Sequence, residues 1–261
     1  MTNIHITTDA RPFYFARGLP NPFAGLRVAL TGGTSGLGLA LVRELLDRHA
    51  RVAFVARTRD SVQRVAADHA GASGIVGDVS RKEDTYPIAM QVLAALGGLD
   101  VLINNASSLG PTPLTLLADT DCEDVERALA TNVLGPFRLT KALLGSLASS
   151  AREGSGALVL NVSSDAATSA YPQWGAYGAS KAALHHMSRI WNEELEAEGI
   201  AVLSLDPGDM DTPLHAAAVP DADRTLLKRP EAAARELADA IGAALSQRVA
   251  AFSSELKQAV R

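Results

Sequence analysis

With 261 residues, 47% of them apolar, the chain is long enough for one large α/β domain, or two small ones, with a sizeable core. Its formal net charge of −5 comes from charges of both signs without a basic stripe, which gives no electrostatic support for nucleic-acid binding. Cys122 is the only cysteine, so an intrachain disulfide and a metal site of several cysteines are excluded.

Residues 1–25 combine prolines with aromatic side chains, and we interpret them as an irregular N-terminal arm. The rest of the chain, residues 26–261, contains no linker, repeat or low-complexity tract and is predicted to form one domain. The N-terminus lacks an apolar signal core, and no apolar stretch reaches about 18 residues. We therefore expect a cytoplasmic protein that does not span a membrane.

From residue 26 onward, short apolar runs alternate with helical patterns. The predicted strands are residues 26–31, 51–56, 74–77, 99–104, 157–162 and 200–205, with 249–252 as a candidate for a short last strand. The predicted helices are residues 37–49, 61–69, 82–96, 121–150, 174–198 and 230–246. Strict alternation indicates βαβ units and therefore a parallel sheet that helices cover on both faces.

A glycine-rich turn follows the first predicted strand and opens the first helix. Its residues are Thr31, Gly32, Gly33, Thr34, Ser35, Gly36, Leu37 and Gly38. Glycine permits positive φ and a close approach of a ligand to the backbone. The free N–H groups and the dipole of a helix N-terminus favour a pyrophosphate. At the start of a βαβ series, this turn predicts a dinucleotide site rather than a plain tight turn.

The end of the second strand predicts which dinucleotide is bound. An acidic residue there would hydrogen-bond the ribose 2′-OH of NAD, but Ala56 and Arg57 occupy these positions. The guanidinium of Arg57 suits a 2′-phosphate in charge and geometry, so NADP(H) is preferred and NAD(H) is the alternative. Two further pairs follow strands at the edge where ligands of open sheets collect: Asp78 with Val79, beside the adenine, and Asn105 with Ala106.

Tyr177 and Lys181 stand four residues apart in a predicted helix and so share one of its faces. A neighbouring ammonium favours the phenolate and would lower the phenol pKa from its usual value of about 10. Ser164 follows a predicted strand, and its hydroxyl could hold a substrate oxygen beside the phenol. Taken alone, such a pair is common on helix surfaces, but the other motifs favour a catalytic interpretation.

Together these residues resemble the classical short-chain dehydrogenase/reductase family over roughly residues 26–215. The motifs concerned are TGGTSGLG at 31–38, GDV at 77–79, NNA at 104–106, Asn132, Ser164, YGASK at 177–181, and Pro207 and Gly208 with Thr212. The resemblance implies a single-domain, Rossmann-like, doubly wound parallel sheet of about seven strands flanked by helices. It also implies an NAD(P)-dependent oxidoreductase that acts on CH–OH or C=O groups.

The resemblance implies a role for each catalytic candidate. Tyr177 would be the general acid/base, Lys181 would lower its pKa and bind the nicotinamide ribose, and Ser164 would polarise the substrate oxygen. Asn132 would keep its helix locally open and hold a water in a proton relay to Lys181. The segment that covers the nicotinamide would contain Pro207, Gly208, Met210 and Thr212.

Three features depart from the family pattern. Ser107 replaces the usual glycine after NNA and should stiffen that turn. Asp209 adds negative charge near the nicotinamide. The glycine-rich tail of the family is absent, which puts the common tetramer contact in doubt and leaves a homodimer through helices 121–150 and 174–198 as the expected assembly.

The adjacent histidines His185 and His186 do not predict a metal site. Side chains at successive positions of a helix point about 100° apart and cannot share one ion well. We therefore expect packing or surface roles for both residues, and no metal cofactor.

The substrate pocket is predicted to be lined by residues 108–112, 165–174 and 210–227, which carry few fixed charges. We expect a small or medium carbonyl or alcohol substrate with apolar or aromatic character. Residues 209–229 are interpreted as a mobile lid or, alternatively, as an ordinary surface helix with loops. Two other functions stay open: a catalytically silent NAD(P)-binding regulatory protein, and a lyase, epimerase or dehydratase with bound cofactor.

Overall fold

The structure is a computed structural model that describes residues 21–259, with side chains as far as residue 249. The strands are β1 Arg27–Thr31, β2 Arg51–Ala56, β3 Ala72–Val76, β4 Val101–Asn104, β5 Ala157–Val162 and β6 Ile200–Leu205. The helices are α1 Gly36–Asp47, α2 Arg59–Asp68, α3 Thr85–Leu96, α4 Cys122–Leu129, α5 Gly135–Arg152, α6 Gly175–Leu195, α7 Pro213–Ala218 and α8 Pro230–Ala259. The six strands pair in the order β3-β2-β1-β4-β5-β6, and every pair is parallel.

The strands are almost continuously apolar because helices cover both faces of the sheet. Every residue of β5 is buried. On one face, α1, α2 and α8 contribute side chains such as Leu41 and Ile241 to a single core cluster. On the other face, α3 and α5 contribute side chains such as Val92 and Leu143 to a second cluster. The predicted α/β fold, with a doubly wound parallel sheet flanked by helices, is therefore confirmed.

The described residues form six strands rather than about seven. Residues 249–252, the candidate last strand, lie inside α8, which continues to Ala259 instead of ending at Ser246. A short apolar run does not distinguish a strand from a buried helix. Here no proline follows Pro230 within this alanine-rich stretch, so nothing in the sequence ends the helix.

The predicted helix 121–150 is divided in two. A π-helical turn at Ala130–Leu134 separates α4 from α5 and carries Asn132, whose side chain is buried. Pro136 lies in the first turn of α5 and has no N–H to donate to an uninterrupted α-helix. The local opening that the family resemblance implied around Asn132 thus exists in the backbone.

Residues 1–20 of the predicted arm lie outside the described part of the chain. The described end of the arm, residues 21–25, packs against the domain. Phe23 is 1% exposed within the core cluster on the α8 face. The guanidinium of Arg48 lies over its ring, 5.0 Å from the centroid.

The order of the strands places the ligand site. The chain winds from β1 to β3 in one direction and from β4 to β6 in the other, although β1 and β4 are neighbours. The loops that follow β1 and β4 therefore diverge and leave a crevice at the carboxyl ends of the strands. Among the helices that the structure describes, none combines the length and apolarity that crossing a membrane requires.

Candidate active site

One cavity of about 860 Å³ opens at the carboxyl ends of the strands. Most of the predicted site residues line it: Gly32, Thr34, Ser35, Gly36, Leu37, Gly38, Arg57, Asp78, Val79, Asn105, Ala106, Ser164, Tyr177, Lys181, Pro207, Gly208, Met210 and Thr212. The two others, Thr31 and Asn132, are buried behind the wall, at 3% and 1% exposure. The structure therefore brings the predicted set together around one space.

The glycine turn is shaped by steric contacts that a side chain would violate. Gly32 has a φ of +75°, in the left-handed region that favours glycine. A Cβ on Gly38 would collide with the carbonyl oxygen of Gly32, so the turn and the start of α1 can approach only without it. No side chain caps the N-terminus of α1 at Ser35, and Gly36, Leu37 and Gly38 of its first turn line the cavity. Uncapped N–H groups at a helix N-terminus suit a pyrophosphate.

Hydrogen bonds tie the glycine turn to the end of β4. The hydroxyl oxygen of Thr31 accepts the backbone N–H groups of Asn105 at 3.0 Å and Ala106 at 3.1 Å. The side-chain amide of Asn105 donates to the carbonyl oxygen of Thr31 at 2.9 Å. Thr31 thus acts on the cavity through the backbone of its neighbours, which fixes both sides of the crevice.

The end of the cavity beside β2 carries one cation whose side chain has no partner among the residues that line it there. Arg57 is exposed at the end of β2, and no hydrogen bond or ion pair joins it to the described residues. Asp78 is oriented by Ser80, whose N–H and hydroxyl donate to its carboxylate at 2.9 and 2.7 Å. The guanidinium of Arg57 is therefore available to an anion at this end of the cavity.

Tyr177 and Lys181 lie one turn apart on α6 and are both buried, at 7% and 2% exposure. The Lys181 ammonium lies 5.5 Å from the centroid of the Tyr177 ring. It donates to the carbonyl oxygen of Val162, at the end of β5, over 2.8 Å. The last residue of β5 thus positions the cation against the face of the phenol ring.

Burial shifts the pKa of both groups away from their charged forms. It raises the pKa of Tyr177 to about 12, although the hydroxyl groups of Ser164 and Ser107 act in the opposite direction. It lowers the pKa of Lys181 to about 8, against the attraction of Asp206. The expectation that the neighbouring ammonium lowers the phenol pKa is therefore wrong for the net shift, because desolvation outweighs it. At neutral pH the phenol carries its proton.

Ser164 lies two residues beyond β5 and starts a short 3₁₀ turn at Asp165–Ala167. Its hydroxyl donates to the Asp165 carboxylate at 3.1 Å and accepts the N–H of Ala166 at 3.2 Å. The Tyr171 hydroxyl holds the other carboxylate oxygen of Asp165 at 2.7 Å. This network keeps the Ser164 hydroxyl beside Tyr177, where an oxygen of a substrate could reach both groups.

All four hydrogen-bonding positions of the Asn132 side chain are used by the protein. Its amide N–H groups donate to the Ser108 carbonyl and the Ser180 hydroxyl, each at 2.8 Å. Its oxygen accepts the Ser108 N–H at 2.8 Å and the Ser107 hydroxyl at 3.2 Å. The side chain therefore anchors the loop after β4 to α6 and has no position left for a water.

The segment after β6 is tied to the last helix through Lys228. The Lys228 ammonium donates to the Pro207 carbonyl at 3.0 Å and to the Glu236 carboxylate of α8 at 2.7 Å. Its backbone pairs with Asp209 and Asp211, each over 3.0 Å. Sequence reasoning missed Lys228, because its contacts join positions far apart in sequence that only the fold brings together. We call these contacts of Lys228 with Pro207 and Glu236 the Lys228 strap.

Asp206 is a second residue that sequence reasoning missed. It follows β6, lines the cavity and accepts the N–H of Gly208 at 2.9 Å. Burial raises the pKa of its carboxyl group. Asp165 and Asp209 line the same cavity, so its wall carries more negative charge than the few fixed charges that the sequence predicted. An acidic residue directly before Pro-Gly at a strand end was the available signal.

Parts of each predicted pocket segment line the cavity, whereas residues 220–227 are not among its lining residues. Their lining side chains include Leu109, Tyr171, Trp174, Leu214 and His215. Trp174 packs edge-on against Tyr177, with ring centroids 5.7 Å apart. Residues 209–229 contain α7 and a 3₁₀ turn, and Arg224 pairs with Asp211 at 2.8 Å.

Within residues 21–249, no group of three or more histidine, cysteine, aspartate or glutamate side chains is arranged to hold a metal ion. Nδ1 of His185 lies 3.0 Å from the Ser204 hydroxyl, which gives that ring a structural partner. The cavity contains the protonated phenol of Tyr177, the buried Lys181 side chain and the glycine turn.

Comparison with known proteins places the chain in a family of similar sequences. The family model described as short chain dehydrogenase matches residues 27–223. An uncharacterised oxidoreductase of Mycobacterium tuberculosis is 31% identical over 219 residues, which cover 78% of this chain and 63% of that protein. The chain therefore spans less than two thirds of that relative's length. Glucose 1-dehydrogenase of Gluconobacter oxydans is 30% identical over 231 residues, which cover 84% of each protein.

The fold is also similar to that of a solved enzyme. The crystal structure of a 3-ketoacyl-(acyl-carrier-protein) reductase from Brucella melitensis, complexed with NADH, superposes with a TM-score of 0.77. It is 25% identical, and the match covers 83% of this chain and 90% of that one. That structure contains a nicotinamide dinucleotide in the same fold.

Proposed function

The chain belongs to the short chain dehydrogenase family, and on that premise we propose that it is an NADP-dependent oxidoreductase that interconverts a carbonyl and an alcohol. One observation carries the proposal. A buried phenol, Tyr177, and the Ser164 hydroxyl lie in the same cavity as a glycine turn whose N–H groups suit a pyrophosphate. A dinucleotide and a small carbonyl compound would then meet beside a proton donor.

The cofactor would supply the hydride, and the residues of the chain would position the substrate and move the proton. Tyr177 would donate its phenolic proton to the substrate oxygen as the carbonyl is reduced. The raised pKa of Tyr177 supports this direction, because the phenol is protonated at neutral pH. Ser164 would hold the substrate oxygen, and Lys181 would stabilise the phenolate that forms.

The preference for NADP(H) rests on Arg57. Its guanidinium is exposed, unpaired among the described residues and placed on the adenosine side of the cavity. No acidic residue stands at the end of β2 to bond a ribose 2′-OH. The relative from Brucella melitensis is complexed with NADH, so NAD(H) is the alternative that an affinity measurement has to exclude.

The substrate would be a small or medium carbonyl compound that is apolar or aromatic and carries no negative charge. Leu109, Tyr171 and Trp174 offer apolar and aromatic surface in the cavity. Asp206 and Asp209 line the same part of the cavity and would repel an anion. A neutral ketone or keto ester therefore fits this wall better than a keto acid.

The proposed assembly is a homodimer through α5 and α6. Phe137 and Trp191 stack across these helices, with ring centroids 5.5 Å apart, and border a surface groove of about 240 Å³. Ile190 is 45% exposed on α6. Sedimentation of the parent and of Phe137→Asp tests the assembly: a parent dimer that the substitution dissociates supports it, and a parent monomer contradicts it.

The first experiment is a fluorescence titration with NADPH and NADH, followed by carbonyl compounds added to the tighter complex. Methyl benzoylformate and benzoylformate form a matched pair, since they differ chiefly in the negative charge. We expect tighter binding of NADPH, and its oxidation by the neutral ester in preference to the acid. Equal affinities would contradict the cofactor assignment, and preference for the acid would contradict the charge argument.

A further inference from the structure

Asp165 directly follows Ser164, just beyond β5, and its carboxylate belongs to the wall of the cavity. The side chain of Asp165 is exposed, and both residues line the cavity. One carboxylate oxygen, Oδ1, accepts the Ser164 hydroxyl at 3.1 Å. The other oxygen, Oδ2, accepts the Tyr171 hydroxyl at 2.7 Å. Two hydroxyl groups therefore hold this carboxylate next to the serine that would bind the substrate oxygen.

The Asp165 carboxylate has acceptor capacity left over. An ionised carboxyl group offers about four acceptor sites, and the two hydroxyl groups fill one site on each oxygen. Among residues 21–249, no lysine, arginine or histidine forms an ion pair with Asp165. A charged oxygen accepts a stronger hydrogen bond than a neutral one. Asp165 is therefore a strong acceptor with room for a further donor.

Binding of a carbonyl compound changes the donors around Asp165. The Ser164 hydroxyl has one proton, which it donates to Asp165, and its oxygen accepts the N–H of Ala166 at 3.2 Å. A carbonyl oxygen can only accept, so in the proposed reduction Ser164 must turn its proton from Asp165 to the substrate. A simple ketone would then leave Oδ1 of Asp165 without its donor, which costs free energy once the ligand displaces water.

We propose that Asp165 is a specificity-determining residue and that the substrate is an α-hydroxy ketone, whose hydroxyl replaces Ser164 as the donor to Asp165. This deepens the proposed function and rests on it. The two oxygens of such a compound stand on adjacent carbon atoms, so together they can reach two groups that lie 3.1 Å apart. The hydride goes to the carbonyl carbon and the Tyr177 proton to the carbonyl oxygen, which gives a vicinal diol. The O–H bond of the substrate hydroxyl does not break.

The apolar part of the cavity suits the rest of such a substrate. Leu109 and Tyr177 are buried in one cluster, against which Trp174 packs. Trp174 meets Tyr177 edge-on, with ring centroids 5.7 Å apart. An aryl or alkyl group on the carbonyl carbon would contact these side chains while the hydroxyl meets Asp165. A compound that combines both features is α-hydroxyacetophenone.

The test compares α-hydroxyacetophenone with α-methoxyacetophenone, which keeps the second oxygen but has a methyl group in place of its proton. With NADPH, the ratio of the two kcat/KM values measures the preference for a hydroxyl. We expect the parent to prefer the hydroxy compound about tenfold, because its hydroxyl donates to a charged group. Asp165→Asn should lower the preference to about threefold and Asp165→Ala to about twofold or less.

The asparagine variant is the decisive one. It keeps the size of the side chain and an oxygen to which Ser164 can donate, so a preference that depends on size or on the orientation of Ser164 would survive in it. An undiminished preference in Asp165→Asn would overturn the proposal. An unfolded fraction would lower both kcat values alike and leave the ratio unchanged.

Asp209→Asn is the matched control for the charge of the wall. Asp209 lines the same cavity, but its carboxylate lies 3.9 Å from Nε2 of His215 instead of beside Ser164. The substitution removes the same negative charge and should keep the parental ratio. An equal loss of the preference in Asp209→Asn would overturn the assignment to Asp165.

A binding measurement separates failure of this inference from failure of the proposed function. Tyr177→Phe loaded with NADP⁺ lacks both the hydride and the acid/base group, so the two ketones bind without reacting, and isothermal titration gives their Kd values. The hydroxy compound should bind about tenfold more tightly, and adding Asp165→Asn should reduce this to about threefold. Equal Kd values would overturn the role of Asp165 even if the parent reduces ketones. Full turnover of Tyr177→Phe with NADPH would instead remove the proposed function.

Discussion

The two ends of the cavity are built in different ways. At the end where a dinucleotide would bind, the glycine turn and the start of α1 offer backbone groups. Their close approach depends on glycine, because a Cβ on Gly38 would collide with the Gly32 carbonyl oxygen. At the other end, burial shifts the pKa values of Tyr177 and Lys181, which lie in the same cavity as the neutral hydroxyl of Ser164. The first end is thus governed by steric contacts and the second by electrostatics, and substitutions should separate them.

The largest effect is expected at the electrostatic end. Tyr177→Phe removes only the proton donor, so kcat should fall by about a thousandfold while cofactor affinity stays within about twofold. The measurements are NADPH oxidation with a neutral ketone and a fluorescence titration with NADPH. Joint loss of turnover and binding would mean that the two ends are not separable in this way.

At the steric end, Gly38→Ala should weaken NADPH binding about a hundredfold without changing any charge. The new Cβ meets the Gly32 carbonyl and forces the turn away from its position. Gly145→Ala is the matched control, because Gly145 lies on α5 with open space around it. Thermal unfolding of both variants distinguishes a displaced turn from a destabilised protein, and normal binding in Gly38→Ala would refute the steric account.

Reversing the charge of Arg57 tests whether this residue contacts the 2′-phosphate of NADPH. Arg57→Asp should weaken NADPH about tenfold to a hundredfold and change NADH much less, since only NADPH carries the 2′-phosphate. Arg59→Asp makes the same change on an exposed arginine outside the cavity wall and should have little effect. Isothermal titration of both cofactors gives the comparison. Equal losses for the two cofactors would show that Arg57 does not contact the phosphate.

The smallest effects concern stability as a function of pH. Lys181 has a pKa of about 8 when folded and an ordinary value of 10.5, so the unfolded chain binds more protons between these values and stability should rise with pH. Tyr177 has a pKa of about 12 when folded and an ordinary value of 10.0, so stability should fall as pH rises between these values. Urea unfolding across this range measures both slopes.

Matched substitutions assign the two slopes. Lys181→Met should remove the rise in stability with pH, and Tyr177→Phe should remove the fall at higher pH. A parent protein whose urea midpoint is constant from pH 8 to pH 12 would contradict both folded pKa values.

The sequence was most informative where local chemistry decides the structure. The apolar runs predicted as β2, β5 and β6 have the observed bounds, because strands that helices cover on both faces are apolar along most of their length. The predicted end of α8 at Ser246 was wrong, because a short apolar run continues a helix as readily as it forms a strand. Propensity alone does not determine which of the two the fold favours.

The candidate site shows the same division. The spacing of Tyr177 and Lys181 predicted that they share a face, because helix geometry is local. The same spacing predicted a lowered pKa for the Tyr177 phenol, whereas burial raises it, because desolvation depends on everything packed around the ring. The contacts of Ser107 with Asn132 and of Lys228 with Pro207 are long-range in sequence, and no local pattern announces them.

The Lys228 strap has a consequence for the exchange of ligands. Its ammonium holds the Pro207 carbonyl and the Glu236 carboxylate at once, so the segment after β6 moves away from α8 only if a partly exposed ion pair yields. Salt screens such a pair far more than it screens the buried Lys181. We expect cofactor release, followed by stopped-flow fluorescence, to accelerate with ionic strength while a single turnover does not, so that the last helix acts as a salt-sensitive latch on the departing cofactor.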